Sequence, residues 1–322
     1  MRTGTEWRRA RVATASIAAD GVRLLTLSVP GPLPAFEPGS HINFAVIIDG
    51  RRVIRTYSRI PTSDGHLSVA VKRHPHSRGG SRFMWGLKPG DSIELTLPEN
   101  RFELSWRAPH YLLIAGGIGV TPIFGMAKAL ARHAAPLRMA YAAQSRAAMA
   151  FLPELSELLG TRLEVFPLDQ RHMLDLDTEI AALPLDGELY VCGPLGLLGA
   201  VKQAWAAAGR PVSRLRYEVF GDNGKFAEAP FQVAEANHGI AVDVRADQTL
   251  LDALITAGIP MIHDCERGEC GLCAVRILTL DGEIDHRDVF LSEEEKAANE
   301  RMCSCVSRLT RGRAVIDVGF RP

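Results

Sequence analysis

Cys265-Glu-Arg-Gly-Glu-Cys270-Gly-Leu-Cys273 sets three thiols at the spacing C-x4-C-x2-C, and Cys303 and Cys305 follow further along. This is the plant-type arrangement for a [2Fe–2S] cluster. Three thiolates in one short loop can hold a pair of irons only if the backbone curls tightly, and Gly268 and Gly271 supply that freedom. Amide N–H groups of the neighbouring residues then point at the sulfurs and tune the potential. A zinc site built from Cys270-x-x-Cys273 and Cys303-x-Cys305 leaves Cys265 without a role. A Rieske centre needs two histidine ligands, and the chain has no Cys-x-His pair. By distance along the chain, Cys303 and Cys305 are both able to supply the fourth thiolate.

Upstream of this loop, Phe231 to Ala236 and Ile240 to Val244 read as strands joined by Asn237-His238-Gly239, and Thr249 to Ala257 reads as a helix. A ferredoxin-like β-grasp domain over residues 229–322 follows. The stretch Gly221 to Pro230, GDNGKFAEAP, reads as an interdomain linker. Before it, apolar strands alternate with Ala/Leu-rich helices: Tyr111 to Ala115, Ile123 to His133, Leu137 to Ala142, Phe151 to Leu159, Glu188 to Cys192 and Leu195 to Ala208. That alternation predicts a parallel α/β nucleotide domain over 108–228. Residues 1–107 carry short β-rich runs, among them Val22 to Val29, His41 to Ile48, Leu67 to Lys72 and Asp91 to Leu97, punctuated by Gly and Pro. They predict an antiparallel β-barrel.

In the barrel, Arg55-Thr56-Tyr57-Ser58 closes a strand beginning near Arg52. An arginine suits a phosphate, an aromatic lies on an isoalloxazine ring, and a hydroxyl meets polar flavin atoms. Arg78-Gly79-Gly80-Ser81 precedes a short helical stretch from Arg82 to Leu87, where free amides and the helix dipole converge on an anion. Val71 and Lys72, at the end of a strand, complete the flavin candidates. A compact phosphate pocket without an adenine platform favours FMN over FAD.

In the α/β region, Gly116-Gly117-Ile118-Gly119-Val120-Thr121-Pro122 joins a strand to a helix. The glycines admit a pyrophosphate, Thr121 reads as the N-cap and Pro122 as a first-turn residue. Cys192-Gly193-Pro194 ends a second strand and completes a pocket by the switch-point rule, with Cys192 near the nicotinamide. Ser145 and Arg146, at another strand end, are placed to meet the adenosine ribose or a 2′-phosphate. NADH is favoured over NADPH.

Lys+Arg and Asp+Glu both number 37, which argues against a general affinity for nucleic acid or anionic membranes. The charge is unevenly spread: residues 1–107 hold 16 basic against 9 acidic side chains, a net of +7, whereas 229–322 hold 10 against 16, a net of −6. This polarity suits electrostatic docking between domains or with a partner. No run is long enough to span a membrane, and the Arg-rich start lacks the apolar stretch of a secretory signal, so a cytoplasmic, monomeric protein is expected. Five of the six cysteines crowd into the C-terminal region, which reads as a metal site rather than a disulfide framework.

Together, the Arg55 to Ser58 strand, the Arg78 to Ser81 loop, Gly116 to Pro122, Cys192-Gly193-Pro194, Tyr217-Glu-Val-Phe-Gly221 and the C-terminal cysteines resemble the phthalate dioxygenase reductase family, which includes the vanillate demethylase reductases. The resemblance covers nearly the whole chain. It implies that Arg55, Tyr57 and Ser58 hold the flavin, that Gly79 to Ser81 hold its phosphate, and that Thr121 lies near the ring. It places Phe220 against the isoalloxazine, so that Thr121, Cys192 and Phe220 form the catalytic group. Cys305-Val-Ser-Arg308 is similar to the last-ligand sequence of these reductases, giving Cys265, Cys270, Cys273 and Cys305 as the cluster ligands. The resemblance further implies that NADH delivers a hydride to FMN and that single electrons leave through the cluster for a Rieske-type terminal oxygenase. With a plant-type cluster near about −400 mV and Rieske centres between roughly −150 and +300 mV, that transfer runs downhill. A cytochrome P450 as acceptor, or a zinc-binding redox sensor in place of an enzyme, are the alternatives.

Overall fold

The computed structural model describes residues 6–62, 65–74, 79–220, 226 and 229–319. Arg78 and most of the Gly221 to Pro230 stretch lie outside the described residues. The chain divides into two compact units, Met1–Glu218 and Val219–Pro322.

The first unit opens with β1 (Trp7–Ala19), β2 (Val22–Ser28), β3 (Ser40–Ile48), β4 (Arg51–Ile60) and β5 (His66–Lys72). Helix α1 (Gly80–Gly86) and strands β6 (Ser92–Thr96) and β7 (Glu99–Asn100) follow. The sheet order is β4-β5-β2-β1-β6-β3-β7, and β3 also pairs with β4, which closes the sheet into a barrel. Period-two patterning drives the closure. Ile42, Phe44 and Val46 of β3 and Leu67, Val69 and Val71 of β5 are fully buried in one core with Met84 of α1.

The same unit continues with β8 (Tyr111–Gly116), α2 (Val120–Arg132), β9 (Leu137–Ala143), α3 (Leu152–Leu159), β10 (Leu163–Pro167), α4 (Leu176–Ala182), β11 (Glu188–Gly193), α5 (Leu195–Ala207) and β12 (Leu215–Val219). These strands form a sheet of order β10-β9-β8-β11-β12, in which β8 to β11 run parallel. The chain moves outward from β8 to β9 and β10, then returns to β11 on the other side of β8. The carboxyl ends of β8 and β11 therefore flank a topological switch point, where open α/β sheets bind their ligands.

The second unit contains β13 (Phe231–Glu235), β14 (Ile240–Val244), α6 (Leu250–Thr256), β15 (Ala274–Asp285), α7 (Glu293–Ala298), β16 (Arg301–Cys303) and β17 (Arg308–Asp317). Their order is β14-β13-β17-β15-β16, with β13 and β17 parallel and the remaining pairs antiparallel. A hairpin, a helix and a return strand beside the first make this a β-grasp. Thr249 caps α6 by accepting the Asp252 N–H at 3.0 Å. Val233, Leu250, Leu254, Val275, Met302 and Ile316 fill the core between helix and sheet. Among the described residues no helix is long and apolar enough to cross a membrane.

One capping expectation is corrected. Thr121 is not the N-cap of α2: Gly119 holds that position, and Thr121 lies inside the first turn with its hydroxyl donating to the Ile118 carbonyl at 2.9 Å. At the start of α1 the cap is likewise a glycine. Gly79 takes that place in a left-handed conformation, and Ser81 Oγ accepts the His74 N–H at 3.3 Å. In both places a glycine stands at the cap because the chain needs a close approach there.

Candidate functional site

On β4, Arg55, Thr56, Tyr57 and Ser58 stand opposite Phe44, Asn43, Ile42 and His41 of β3. Thr56 donates its hydroxyl proton to Asn43 Oδ1 at 2.7 Å, a cross-strand bond that leaves its oxygen able only to accept from a ligand. Tyr57 meets Phe44 edge to face, with ring centroids 5.8 Å apart. Burial pushes the Tyr57 phenol up to about 12, against the opposing pull of Arg55, so its hydroxyl keeps its proton through neutral pH. Ser58 is buried, and its Oγ has no hydrogen-bond partner among the described residues. A buried hydroxyl in that state marks a site suited to a polar ligand.

The two flavin elements converge. A Cβ on Gly80 would lie 2.6 Å from Arg55 Nε and 2.9 Å from its Cδ, so the arginine lies directly across the glycine at the start of α1. Gly79, at φ +91°, is pressed equally close to Ile48. A cradle that any side chain would fill, crossed by a guanidinium, fits a phosphate. Replacing Arg55 with alanine is expected to weaken flavin binding by about 10- to 100-fold, the worth of charge-assisted hydrogen bonds of ~1.5–3 kcal/mol. Fluorescence titration of the flavin-stripped protein reads this directly. The Val71 side chain is wholly inside the barrel core and its carbonyl accepts Trp85 Nε1–H at 2.8 Å, so any contact it makes with a flavin runs through its backbone. Lys72 points elsewhere, its Nζ 3.7 Å from where a Cβ on Gly117 would stand. The barrel thus sends a cation to the glycine loop of the α/β sheet.

At the switch point the two strand ends interlock. A Cβ on Gly116 would meet Pro194 Cδ at 2.8 Å and Gly193 Cα at 3.2 Å, and one on Gly119 would lie 2.2 Å from the Cys192 carbonyl oxygen. Gly116, Gly117, Gly119, Thr121 and Pro122 are therefore brought together with Cys192, Gly193 and Pro194 in one backbone-lined corner. The Cys192 side chain is fully buried, so what it presents to Gly119 is its carbonyl. Ser145 lies just beyond β9, where it caps a 3-10 turn by accepting the Ala148 N–H at 3.3 Å, and Arg146 beside it is exposed. Phe220 follows β12 and is half-buried.

In the second unit four of the five thiols fall into two pairs, and Cys303 lies against Cys273 as well. Cys265 and Cys270 are within hydrogen-bonding reach of each other, and the Cys273 and Cys305 sulfurs are 3.1 Å apart. Two thiolates for each iron is the donor set that a [2Fe–2S] cluster requires. The N–H groups of Arg267, Glu269 and Cys270 all approach Cys265 Sγ at 3.4 Å, as expected of a loop wrapped around ligand sulfur. Mutual hydrogen bonding drives the Cys273 thiol down and the Cys303 and Cys305 thiols up, as befits three sulfurs crowded together. Cys305 interacts electrostatically with both Cys273 and Cys265, whereas Cys303 has Cys273, Cys305 and Asp288 as its neighbours. The loop depends on two left-handed glycines. Gly268, at φ +74°, is packed against Val306 and Asp288, and Gly271, at φ +73°, lies under the Phe290 ring.

Sequence reasoning missed Asp288 and Ser307, which join the cysteine loop to the segment after Cys305. Asp288 sits in a charged triplet, His286-Arg287-Asp288, which reads as an ordinary polar loop, and Ser307 enters the sequence reading only as part of Cys305-Val-Ser-Arg308, with no role of its own.

Known proteins share this layout. Residues 10–104 match the oxidoreductase FAD-binding domain, and residues 97–215 match the N-terminal domain of dimethylamine monooxygenase subunit DmmA-like proteins. Residues 233–310 match the 2Fe-2S iron-sulfur cluster binding domain. The chain is 34% identical over 315 residues to phenoxybenzoate dioxygenase subunit beta of Ectopseudomonas oleovorans, covering 96% of each chain. It is 35% identical over 279 residues to the heme-dependent oxidative N-demethylase beta subunit of Ectopseudomonas mendocina, covering 86% of this chain and 87% of that one. The solved structure of phthalate dioxygenase reductase superposes with a TM-score of 0.78 at 30% identity, over 97% of this chain and 98% of that one. A flavin-binding domain and a [2Fe–2S] domain thus stand on one chain.

Proposed function

The chain belongs to the phthalate dioxygenase reductase family, and from that premise we propose that it carries electrons from NADH through FMN and a [2Fe–2S] cluster to a Rieske-type oxygenase. In coarser terms it is an NAD(P)H-dependent flavin and iron–sulfur oxidoreductase, the reductase component of an oxygenase system. The observation that carries the reading is the pairing of Cys265 with Cys270 and of Cys273 with Cys305, on a chain whose barrel lays Arg55 across Gly80. The boundaries proposed are 1–107 for flavin, 108–228 for nucleotide and 229–322 for the cluster, in a monomeric cytoplasmic protein.

Each side chain has a task in this scheme. Arg55 and the Gly79 to Ser81 turn hold the flavin phosphate. The Tyr57 hydroxyl, protonated at neutral pH, donates to the flavin, and Ser58 gains there the partner its buried Oγ lacks. Gly116 to Pro122 and Cys192 to Pro194 admit the NADH pyrophosphate and bring the nicotinamide to the ring, with Lys72 supplying positive charge from the barrel side. Ser145 and Arg146 meet the adenosine ribose, and Thr121, Cys192 and Phe220 border the reacting groups. Cys265, Cys270, Cys273 and Cys305 ligate the cluster. When bound, the flavin accepts a hydride's two electrons and the cluster takes them one at a time.

FMN is proposed over FAD because the Arg55 guanidinium laid across Gly80 suits a single terminal phosphate. A second reading, in which the acceptor is a heme protein, is favoured by the likeness to the heme-dependent N-demethylase subunit. Stopped-flow mixing of the NADH-reduced protein with a Rieske oxygenase and, separately, with a heme monooxygenase decides between them. Fast cluster oxidation by the Rieske protein, slowing as salt is raised because the acidic C-terminal region docks electrostatically, is the expected result. Exclusive transfer to heme would replace the first reading with the second.

A further inference from the structure

We propose that Asp288 is a positioning residue for the cluster, clamping the two halves of its ligand set and setting its potential by its buried charge; the inference rests on the [2Fe–2S] reading. Asp288 is almost wholly buried, as are its neighbours Arg287 and Ser307. It touches the first half of the ligand set through Gly268, whose Cβ would stand 2.9 Å from Asp288 Cα. The next two residues reinforce that contact, because Val289 and Phe290 both donate their N–H groups to the Gly268 carbonyl, at 3.0 and 3.2 Å. It touches the second half through Ser307, two residues past Cys305, whose hydroxyl donates to Asp288 Oδ1 at 3.0 Å. Ser307 Oγ also accepts the Arg287 N–H at 3.2 Å, and Leu291 N–H donates to Asp288 Oδ2 at 2.9 Å.

The loop bearing Cys265, Cys270 and Cys273 and the turn bearing Cys305 are thus tied through one residue, the first by its backbone and the second by its carboxylate. Its charge has a second effect. The guanidinium next to it in sequence, Arg287, is engaged with Asp285 at 2.8 Å. His286 Nδ1 stands 3.7 Å from Asp288 Oδ1, and the Lys296 charge also bears on it, so both favour its ionised form. A buried carboxylate beside a cluster opposes the arrival of an electron, because Coulomb interactions are weakly screened there. Asp288 therefore keeps the cluster strongly reducing, and the Ser307 hydroxyl moderates that effect by donating to it.

The test uses two substitutions in the full-length holoprotein, each first assayed for iron and sulfide content and by EPR, then titrated for its midpoint potential. Asp288→Asn keeps the shape and removes the charge. It is expected to retain the cluster and raise the reduced-to-oxidised ratio at a fixed potential about tenfold, equivalent to ~59 mV for one electron. Ser307→Ala leaves the charge and removes its donor, and is expected to move the potential the opposite way. Asp288→Asn with a full cluster and an unaltered potential would overturn the proposal. Should Asp288→Asn fail to hold its cluster, Ser307→Ala decides alone, and a potential that does not fall would overturn it. A parent protein with no cluster at all would instead overturn the [2Fe–2S] reading.

Discussion

A Cys305→Ser chain is expected to reduce its flavin with NADH at the parental rate and to pass almost no current to an oxygenase. The two steps depend on different units. The barrel and α/β sheet that take up the hydride lie within Met1–Glu218, whereas Cys305 belongs to the second unit. Serine is a harder and more weakly binding ligand for iron than thiolate, so the Cys273–Cys305 pair is lost while Cys265–Cys270 remains. Stopped-flow traces at the flavin band, followed by EPR of the same samples, separate the two effects. Retention of a full and normal cluster spectrum would assign the fourth position to Cys303, which lies buried against the same Cys273 sulfur.

Gly119→Ala is expected to have the converse effect: a chain that keeps flavin and cluster but accepts hydride slowly. The added methyl would sit 2.2 Å from the Cys192 carbonyl oxygen and 2.7 Å from the Gly193 nitrogen, which are backbone atoms that cannot swing aside. The glycine loop and the Cys192 to Pro194 corner must therefore part. A displacement of about 1 Å in a substrate-positioning element costs on the order of 100-fold in rate. The strain itself costs about 1–3 kcal/mol of stability, as overpacking does elsewhere. Arg55 and Gly80 sit at the barrel end of the site, so flavin content is expected to hold. Parental hydride transfer in Gly119→Ala would mean that the switch-point corner does not position the nicotinamide.

The parts of this protein legible in sequence are those where chemistry or periodicity repeats locally. The alternation of Ile42, Phe44 and Val46 gives a half-buried strand, and the Cys265 to Cys273 spacing gives an iron–sulfur loop, because both are written within a few residues. Strands β10 and β12 escaped notice: Leu163-Glu-Val-Phe-Pro and Leu215-Arg-Tyr-Glu-Val flank the sheet as edge strands, and their interspersed charges break the apolar run. The cap of α2 was misread for a related reason. A threonine or serine near a helix start is a strong local signal, but packing of Gly79 against Ile48 and of Gly119 against Cys192 demands glycine at the cap itself. Contacts between distant segments, such as Lys72 with Gly117 or Asp288 with Ser307, leave no local signature. The cluster clamp and the link from barrel to glycine loop thus emerge only in three dimensions.

The central claim is a relay from pyridine nucleotide to flavin to cluster within one polypeptide. Anaerobic mixing of the purified chain with NADH, followed by diode-array absorbance and freeze-quench EPR, tests it most directly. Flavin bleaching followed by the signal of a reduced [2Fe–2S] cluster is the expected sequence. A chain that bleaches without any cluster signal, or that carries neither chromophore after reconstitution with flavin, iron and sulfide, would contradict the account.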